Sequence, residues 1–281
     1  MGAITTTRGL IDVVEAGGGE RTPIMFLHGV GSDHHVWAPQ IEYFGSQRRA
    51  VALAYPGYGN SQFVEGATRD DYAAAVVGVM DSLAIDRAHI CGLSLGGIVA
   101  IALHAIAPDR CASLIIADSF AVHPDGQAIF DRSEVASRTI GMRALAEARA
   151  GALLGRAAGP AIHRAVIETM SAIDPAAYVI GARAVWLADQ RDRVTAINVP
   201  TLVLVGDEDS ITPPSLSEQL AALIPYAKLE IIFGAGHLAN LEQPVAFNAA
   251  IDEFLSEMTR DAEAAALASE LRGLSDRGPR G

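Results

Sequence analysis

Short apolar runs alternate with segments of helical periodicity along most of the 281 residues of this chain. Two β-type runs at 4–7 and 10–14 open the chain, an unbroken apolar run follows at 23–27, and further mainly apolar runs follow at 50–54, 88–91, 113–117, 199–205 and 229–233. Unbroken apolar strands are typical of a parallel sheet that helices cover on both faces. Thr68 and Asp71 have the spacing of a capping box, so a helix is predicted to begin there. The pattern predicts an α/β fold: a mostly parallel central sheet with helices on both faces.

The strand rhythm stops between about 120 and 195. This segment is rich in Ala and Arg, and no β-type run of strand length occurs in it. An all-helical insertion between two strands is most simply a cap over the carboxyl edge of the sheet. We therefore predict a core formed by residues 1–119 and 196–257, a helical cap at 120–195, and a helical or disordered tail at 258–281. The cap is expected to set substrate choice and to contribute little to the stability of the core.

The tail allows two interpretations. Leu267, Leu271 and Leu274 fall on one narrow helical stripe, which suits contact with a partner subunit in a homodimer. The other interpretation is a frayed end, because chain termini are poorly ordered unless they pack against the domain. We favour the frayed end.

Composition and charge exclude several classes of function. Hydrophobic residues make up 50% of the chain, enough for a sizeable core, and the formal net charge of -12 argues against nucleic acid or an anionic membrane as partner. The two cysteines fall in or beside buried strands, so no disulfide framework is predicted. No targeting pattern or membrane-spanning run occurs, and a cytoplasmic protein is expected.

The stretch Gly92-Leu93-Ser94-Leu95-Gly96 stands between an apolar strand and a segment that is apolar on every side. Strand, Gly-x-Ser-x-Gly and helix is the order of a nucleophile elbow, in which the serine occupies a strained turn with its Oγ presented to the site. The N–H of Leu95 and the helix N-terminus would stabilise an oxyanion there. A plain Gly-Ser-Gly turn is the alternative, and the flanking strand and helix disfavour it.

Three further loops at strand ends carry candidate chemistry. His28-Gly29-Val30-Gly31 follows the first apolar strand, while Asp209 and His237 follow the last two. Open parallel sheets place their sites at this edge. A serine hydroxyl needs a base within hydrogen-bond reach, and His237 is the candidate, with Asp209 holding the imidazole and stabilising the imidazolium. The backbone N–H groups of Val30 and Leu95 are the predicted oxyanion hole.

On these residues the sequence resembles the α/β-hydrolase superfamily, whose Ser, Asp and His follow one another in this order along the chain. The resemblance covers roughly residues 4–257 and is carried by His28-Gly29-x-Gly31 with Trp37, Pro56-Gly57-x-Gly59-x-Ser61, Gly92-x-Ser94-x-Gly96-Gly97, Gly206-x-x-Asp209-x-x-x-Pro213, and Gly234-x-Gly236-His237 with Glu242-x-Pro244. It is most similar to small bacterial esterases, 3-oxoadipate enol-lactonase-like enzymes and meta-cleavage-product hydrolases. The resemblance implies a serine hydrolase that cleaves a small ester or lactone through an acyl-enzyme.

Several alternatives stay open. Carbon–carbon bond hydrolysis of a ring-cleavage product is the runner-up, although Ser32-Asp33 and Leu95 stand where those relatives usually carry Gly-Pro and Met. A ligand receptor of the same fold without turnover is a further alternative. Asp118 is an alternative to Asp209, because some relatives of this fold place the acid after that strand.

The substrate-pocket candidates are His28, Gly29 and Trp186. His28 is also interpretable as a structural member of its turn, and Trp186 as a filler of the core. His34 and His35 follow the predicted oxyanion loop, where surface positions are the preferred interpretation. No Cys/His cluster or acidic pair has metal-ligand spacing, so neither a metal nor a cofactor is predicted.

Overall fold

A computed structural model describes residues 2–7 and 9–275, in which eight strands form one sheet in the order β1-β2-β4-β3-β5-β6-β7-β8. The strands are β1 (Gly2–Thr6), β2 (Gly9–Ala16), β3 (Ile24–Leu27), β4 (Ala50–Leu53), β5 (Ala88–Leu93), β6 (Cys111–Ala117), β7 (Thr201–Gly206) and β8 (Lys228–Ile232). β2 pairs antiparallel with β1 and β4, and the other neighbours pair parallel. The predicted, mostly parallel α/β sheet is confirmed.

Helices cover both faces of this sheet. The described residues form α1 (Ala38–Gly45), α2 (Arg69–Ser82), α3 (Leu95–Ile106), α4 (Gly126–Thr139), α5 (Gly141–Leu153), α6 (Pro160–Ser171), α7 (Pro175–Trp186), α8 (Arg191–Val194), α9 (Pro214–Leu223), α10 (Ala239–Glu242) and α11 (Pro244–Ser275). The predicted capping box at the start of α2 is confirmed, because Asp71 N–H donates to Thr68 Oγ1 at 3.3 Å and Thr68 N–H donates to Asp71 Oδ2 at 3.0 Å.

The central strands supply two separate cores because successive side chains point to opposite faces. In β3, Met25 and Leu27 join the cluster under α2 and α3, whereas Ile24 and Phe26 join the cluster under α1 and α11. All four side chains are fully buried. This two-sided burial explains why the central strands are apolar without alternation.

The five helices α4–α8 lie between β6 and β7, where the sequence predicts the cap. An isolated antiparallel bridge between Val122 and Asp189, which the sequence does not suggest, joins the two ends of this insertion. The insertion lies close on the sheet loops: a Cβ added to Gly57 would stand 2.9 Å from the Cβ of Ala177 on α7. Glycine is needed at this close approach.

The closing helix α11 begins at Pro244 as predicted and continues past Met258 to Ser275. The predicted stripe of Leu267, Leu271 and Leu274 cannot be followed, because those side chains, like residues 276–281, lie outside the described part of the chain. Within the described residues, no helix combines the length and the apolar character needed to cross a membrane.

Candidate active site

Ser94 occupies the turn between β5 and α3 in a backbone conformation that L-residues rarely adopt, with φ 55° and ψ -113°. The turn is held by backbone bonds: Ser94 N–H donates to Ala117 O at 2.9 Å, and Gly97 N–H donates to Ser94 O at 2.9 Å. A Cβ on Gly92 would overlap the carbonyl of Gly96, so strand and helix meet this closely only with glycine there. The Ser94 Oγ is buried and has no hydrogen-bond partner.

The loop after β3 runs directly beside this serine. A Cβ on Gly29 would stand 3.3 Å from the Ser94 Cβ and 3.8 Å from its Oγ. Val30 is the next residue of the loop, and Leu95 is the first residue of α3, so the Leu95 N–H has no acceptor within its helix. Both predicted oxyanion donors therefore belong to segments that adjoin Ser94.

His28 holds the turn of this loop with both ring nitrogens. The Tyr55 N–H donates to Nε2 at 3.2 Å, which makes Nδ1 the protonated nitrogen, and Nδ1 donates to Gly29 O at 2.8 Å. Burial lowers the pKa of His28 to about 4, so the ring stays neutral. No nitrogen of His28 is left for a substrate, and this favours the structural interpretation of the residue.

Asp209 and His237 meet at the carboxyl edge of the sheet. His237 Nδ1 lies 2.8 Å from Asp209 Oδ2, and the Thr212 hydroxyl donates to the same oxygen at 2.6 Å. The other carboxylate oxygen accepts the N–H groups of Ile211 and Thr212 at 2.8 and 2.9 Å. These four polar contacts fix the carboxylate in one orientation toward the imidazole, which also stands 3.2 Å from the Thr212 hydroxyl.

The pKa of Asp209 reflects these partners. Burial alone would raise the pKa of this carboxyl, but the charge and hydrogen bond of His237 and the hydrogen bonds of Thr212 outweigh burial, and the pKa lies below its ordinary value. Asp209 is therefore ionised beside the imidazole at neutral pH.

Asp118, the alternative acid, follows β6 with φ 48° and is fully buried. Its Oδ1 accepts the Gly206 N–H at 2.8 Å, and its Oδ2 has no partner. Burial raises the pKa of Asp118 well above its ordinary value, and the charge of Asp209 raises it further. The structure thus gives the imidazole contact and the lowered pKa to Asp209, whereas the pKa of its neighbour Asp118 is raised.

The loop that carries His237, which we call the histidine loop, is hydrogen-bonded to the helical insertion. The carboxylate of Glu242 accepts the Gly155 N–H at 2.7 Å and the Gly236 N–H at 3.0 Å, and the His237 N–H donates to Leu153 O at 2.9 Å. Burial raises the pKa of Glu242, although the backbone donors oppose the rise. The turn between α5 and α6 therefore fixes the backbone on which His237 is carried.

The same turn contacts the loop that carries the acid. Glu208 Oε2 accepts the Arg156 N–H at 2.7 Å, and Glu208 Oε1 accepts the Arg156 guanidinium at 2.7 and 3.0 Å. The Ser210 hydroxyl donates to Ala152 O at 3.0 Å. We call residues 152–156 the clamp turn, because they contact both the loop that carries Asp209, which we call the acid loop, and the histidine loop. Sequence reasoning misses it: Glu208 has the appearance of a solvated loop charge.

A cavity of about 880 Å³ lies between α4, α5 and the acid loop. Trp186, Arg132, Arg149 and Ile211 are among its lining residues, whereas Ser94 and His237 are not. The cavity therefore adjoins the acid loop and does not itself enclose the serine hydroxyl.

Comparison with known proteins decides the family. A family model described as the alpha/beta hydrolase family matches residues 24–250. The chain belongs to this family. It is 30% identical over 247 residues to 3-oxoadipate enol-lactonase 1 of Acinetobacter baylyi, covering 87% of this chain and 92% of that protein. It is 29% identical to 2-hydroxymuconate semialdehyde hydrolase of Pseudomonas sp. strain CF600, covering 87% and 89%.

A solved structure agrees with this assignment. A thermophilic esterase from Thermogutta terrifontis superposes with a TM-score of 0.84 at 30% identity, covering 91% of this chain and 97% of that one. The expected resemblance to small esterases, enol-lactonases and ring-cleavage-product hydrolases is confirmed. The protein is an enzyme of the α/β-hydrolase class.

The position of Trp186 in this α/β hydrolase is compatible with both predicted roles, a core residue and a residue that lines the substrate pocket. The side chain is 2% exposed and stacks on Phe120 with ring centroids 5.9 Å apart, as a core residue does. It also lines the cavity, and its indole N–H has no partner. Its contact with substrate stays a prediction.

One group of possible metal ligands stands among the described residues of the hydrolase. Asp33, His34 and His35 bring one ligand atom each within 4.8 Å of one another. These donors already serve the loop: His34 Nε2 is 3.3 Å from Asp12 Oδ2, and His35 Nδ1 is 2.9 Å from Asp33 Oδ1. Asp33 also caps the 3-10 turn His34–Trp37, which the sequence did not predict. We therefore interpret these three residues as part of the structure of the loop.

Proposed function

We propose that this hydrolase cleaves a small carboxylic ester or lactone through an acyl-enzyme on Ser94. The observation that carries the proposal is the 2.8 Å contact of His237 Nδ1 with the Asp209 carboxylate, at the sheet edge where Ser94 sits in its strained turn. An ionised acid, an oriented imidazole and a strained serine are the three parts that acyl transfer needs. The enol-lactonase and esterase relatives support the same chemistry.

The first half of the reaction forms the acyl-enzyme. With Nδ1–H donated to Asp209, the Nε2 of His237 carries the lone pair and takes the Ser94 proton as Oγ attacks the substrate carbonyl. The Asp209 carboxylate stabilises the imidazolium that results. The Ser94 Oγ has no hydrogen-bond partner in the protein, so its hydroxyl is available to a substrate and to His237, and catalytic contacts of this kind commonly tighten when substrate binds.

The remaining steps expel the leaving group and then hydrolyse the acyl-enzyme. The N–H groups of Val30 and Leu95 are proposed to stabilise the tetrahedral oxyanion, whose collapse expels the alkoxide with the proton from His237. In a lactone the expelled hydroxyl remains attached to the acyl group. Water then attacks the acyl-enzyme, with His237 taking its proton and returning it to Ser94 as the carboxylic acid leaves.

The helical insertion is proposed to act as the cap that selects the substrate. Its cavity of about 880 Å³ falls within the usual size of small-molecule sites. Apolar side chains and the guanidinium groups of Arg132 and Arg149 line the cavity together. The cavity adjoins the acid loop, so it suits the part of the substrate that does not react.

Hydrolysis of a substrate panel tests the proposal. The panel contains p-nitrophenyl esters, enol-lactones and dienoic ring-cleavage products, assayed with wild type, Ser94→Ala and the surface control Ser46→Ala. We expect turnover of esters or lactones by wild type and Ser46→Ala, and none above background by Ser94→Ala. Cleavage confined to dienoic products would transfer the function to carbon–carbon hydrolysis, for which the 2-hydroxymuconate semialdehyde hydrolase relative is the supporting observation. No turnover on any member would favour a receptor.

A further inference from the structure

A second large cleft lies at the opposite, amino edge of the sheet, where the parallel strands begin. It encloses about 1360 Å³, and residues that precede or open β3, β4, β5 and β7 meet α11 there. Four arginines line it, Arg21, Arg48, Arg87 and Arg260, together with the carboxyl groups of Glu20, Asp252, Glu257 and Asp261. The chain carries 21 basic against 33 acidic residues, whereas five basic and four acidic side chains line this cleft, so it is more basic than the chain as a whole.

Arg48 is the buried member of this group. Its side chain is only 7% exposed, its Nη1 donates to Thr22 O at 3.2 Å, and its Nε has no partner. Among the described residues no carboxylate lies within ion-pair distance of Arg48. A buried cation without a counter-ion is unfavourable unless something else neutralises it.

The neighbours of Arg48 increase its need for an anion. Burial lowers the pKa of the Arg48 guanidinium, the charge of Arg21 lowers it further, and Asp252 on α11 opposes the fall. Burial and the charges of Arg48 and Arg87 lower the pKa of His89 to about 3, so this ring stays neutral beside them. Lys228 also lines the cleft, but it is paired with Glu257.

We propose that this cleft binds a phosphate-type oxyanion, with Arg48 at its floor and Arg21 and Arg87 closing on it from the rim. Arg21 and Arg87 are exposed, so their side chains can reorient. The hydrogen bond that Arg87 donates to the protein runs from Nε to Cys111 O at 3.2 Å, which leaves its two NH₂ groups for an anion. Two or more guanidinium groups converging on one point form charge-assisted bonds that match the oxygens of a phosphate. Free phosphate and a phosphate ester offer the same group.

Calorimetry and thermal unfolding of the full chain test the site with sodium phosphate and glycerol 3-phosphate, against sodium chloride at equal ionic strength. We expect phosphate to raise Tm by about 5 °C at a hundredfold excess over Kd, and chloride to raise it far less. Similar affinity for both phosphates would indicate recognition of the free ion, and tenfold tighter binding of the ester would indicate an organic phosphate. An equal response to chloride would overturn the proposal.

Variants locate the site. We expect Arg87→Gln to weaken phosphate at least tenfold, Asp252→Asn to strengthen it, and the exposed control Arg143→Gln to behave as wild type. Arg48→Met should abolish the phosphate response and raise Tm in its absence, because it removes a buried unpaired charge. If it fails to fold, Arg87→Gln alone decides. A wild-type phosphate response in Arg87→Gln and Arg48→Met would refute the site, whatever becomes of the proposed ester hydrolysis at the other edge.

Discussion

The two edges of the sheet hold buried charge in opposite ways. At the carboxyl edge, the Asp209 carboxylate is matched inside the protein by the His237 imidazole, the Thr212 hydroxyl and two backbone N–H groups. At the amino edge, the buried Arg48 guanidinium has one carbonyl and no carboxylate at ion-pair distance among the described residues.

This difference separates the site that we propose for the chemistry from the site that we propose for anion binding. When the partners of a carboxylate are already in place, no groups have to rearrange as charge develops on the imidazole. An arginine whose partner is missing gains most when an anion arrives from outside.

The largest expected effect is on Asp209. Asp209→Asn keeps the shape of the side chain but removes the charge that stabilises the imidazolium and fixes the tautomer of His237. We predict a loss of kcat of at least about two orders of magnitude, approaching the four orders seen for the same change in a serine protease. Ester kinetics on the folded variant measure it. Near-normal turnover would remove the carboxyl edge from the comparison as the chemical site.

Glu242 should show a smaller effect, because it acts through the clamp turn. Glu242→Gln has only one acceptor oxygen toward the N–H groups of Gly155 and Gly236, so the histidine loop shifts. We predict about a tenfold lower kcat, equivalent to about 1.4 kcal/mol, with KM little changed. The exposed Glu147→Gln is the control. Equal kinetics in both variants would show that the clamp turn does not position His237.

Asp118 should matter more for stability than for turnover. Asn resembles the protonated acid, so Asp118→Asn is expected to stay within about tenfold of wild-type activity. A crippled Asp118→Asn beside a near-normal Asp209→Asn would move the catalytic acid to the end of β6.

The pH dependence of unfolding sharpens this point. The folded pKa of Asp118 is raised, so above its ordinary pKa of 3.8 the unfolded chain loses a proton that the folded chain retains. Wild type therefore loses stability from this group as pH rises toward the folded pKa, by at most about 1.4 kcal/mol per pH unit, and Asp118→Asn does not. Urea unfolding should show that the free energy of unfolding of Asp118→Asn, relative to that of wild type, is higher at pH 8 than at pH 5. A pH-independent difference would contradict the raised pKa.

The smallest effect is expected at the amino edge. Arg87→Gln should change ester turnover by less than about twofold, because surface substitutions away from a site are usually within half a kcal/mol. Kinetics in phosphate-free buffer measure this. A large loss would mean that the two edges are coupled rather than separate.

Local features were predictable because local residues determine them. The apolar runs gave the central strands, the glycines around Ser94 gave the strained turn, and the Thr68–Asp71 capping box fixed the start of α2. Each depends on residues within a few positions of one another.

Long-range features were not predictable. The Glu208–Arg156 and Glu242–Gly155 contacts join residues 52 and 87 positions apart, and only the packed insertion brings them together. Arginine is usually a surface residue, so the sequence does not indicate that Arg48 is buried. Its burial follows from the position of the β4 start beneath Thr22 and α11. His28 was a pocket candidate by its place in the motif, and the Tyr55 N–H that occupies its second nitrogen comes from the neighbouring strand end.

The most direct test of the central claim is covalent labelling of Ser94. A serine-directed fluorophosphonate should modify wild-type protein once, with loss of ester hydrolysis, and tandem mass spectrometry should place the adduct on Ser94. Asp209→Asn should label at least about a hundredfold more slowly, because the imidazole that activates the hydroxyl loses its partner. An adduct on another residue, or hydrolysis that survives stoichiometric labelling of Ser94, would contradict the account.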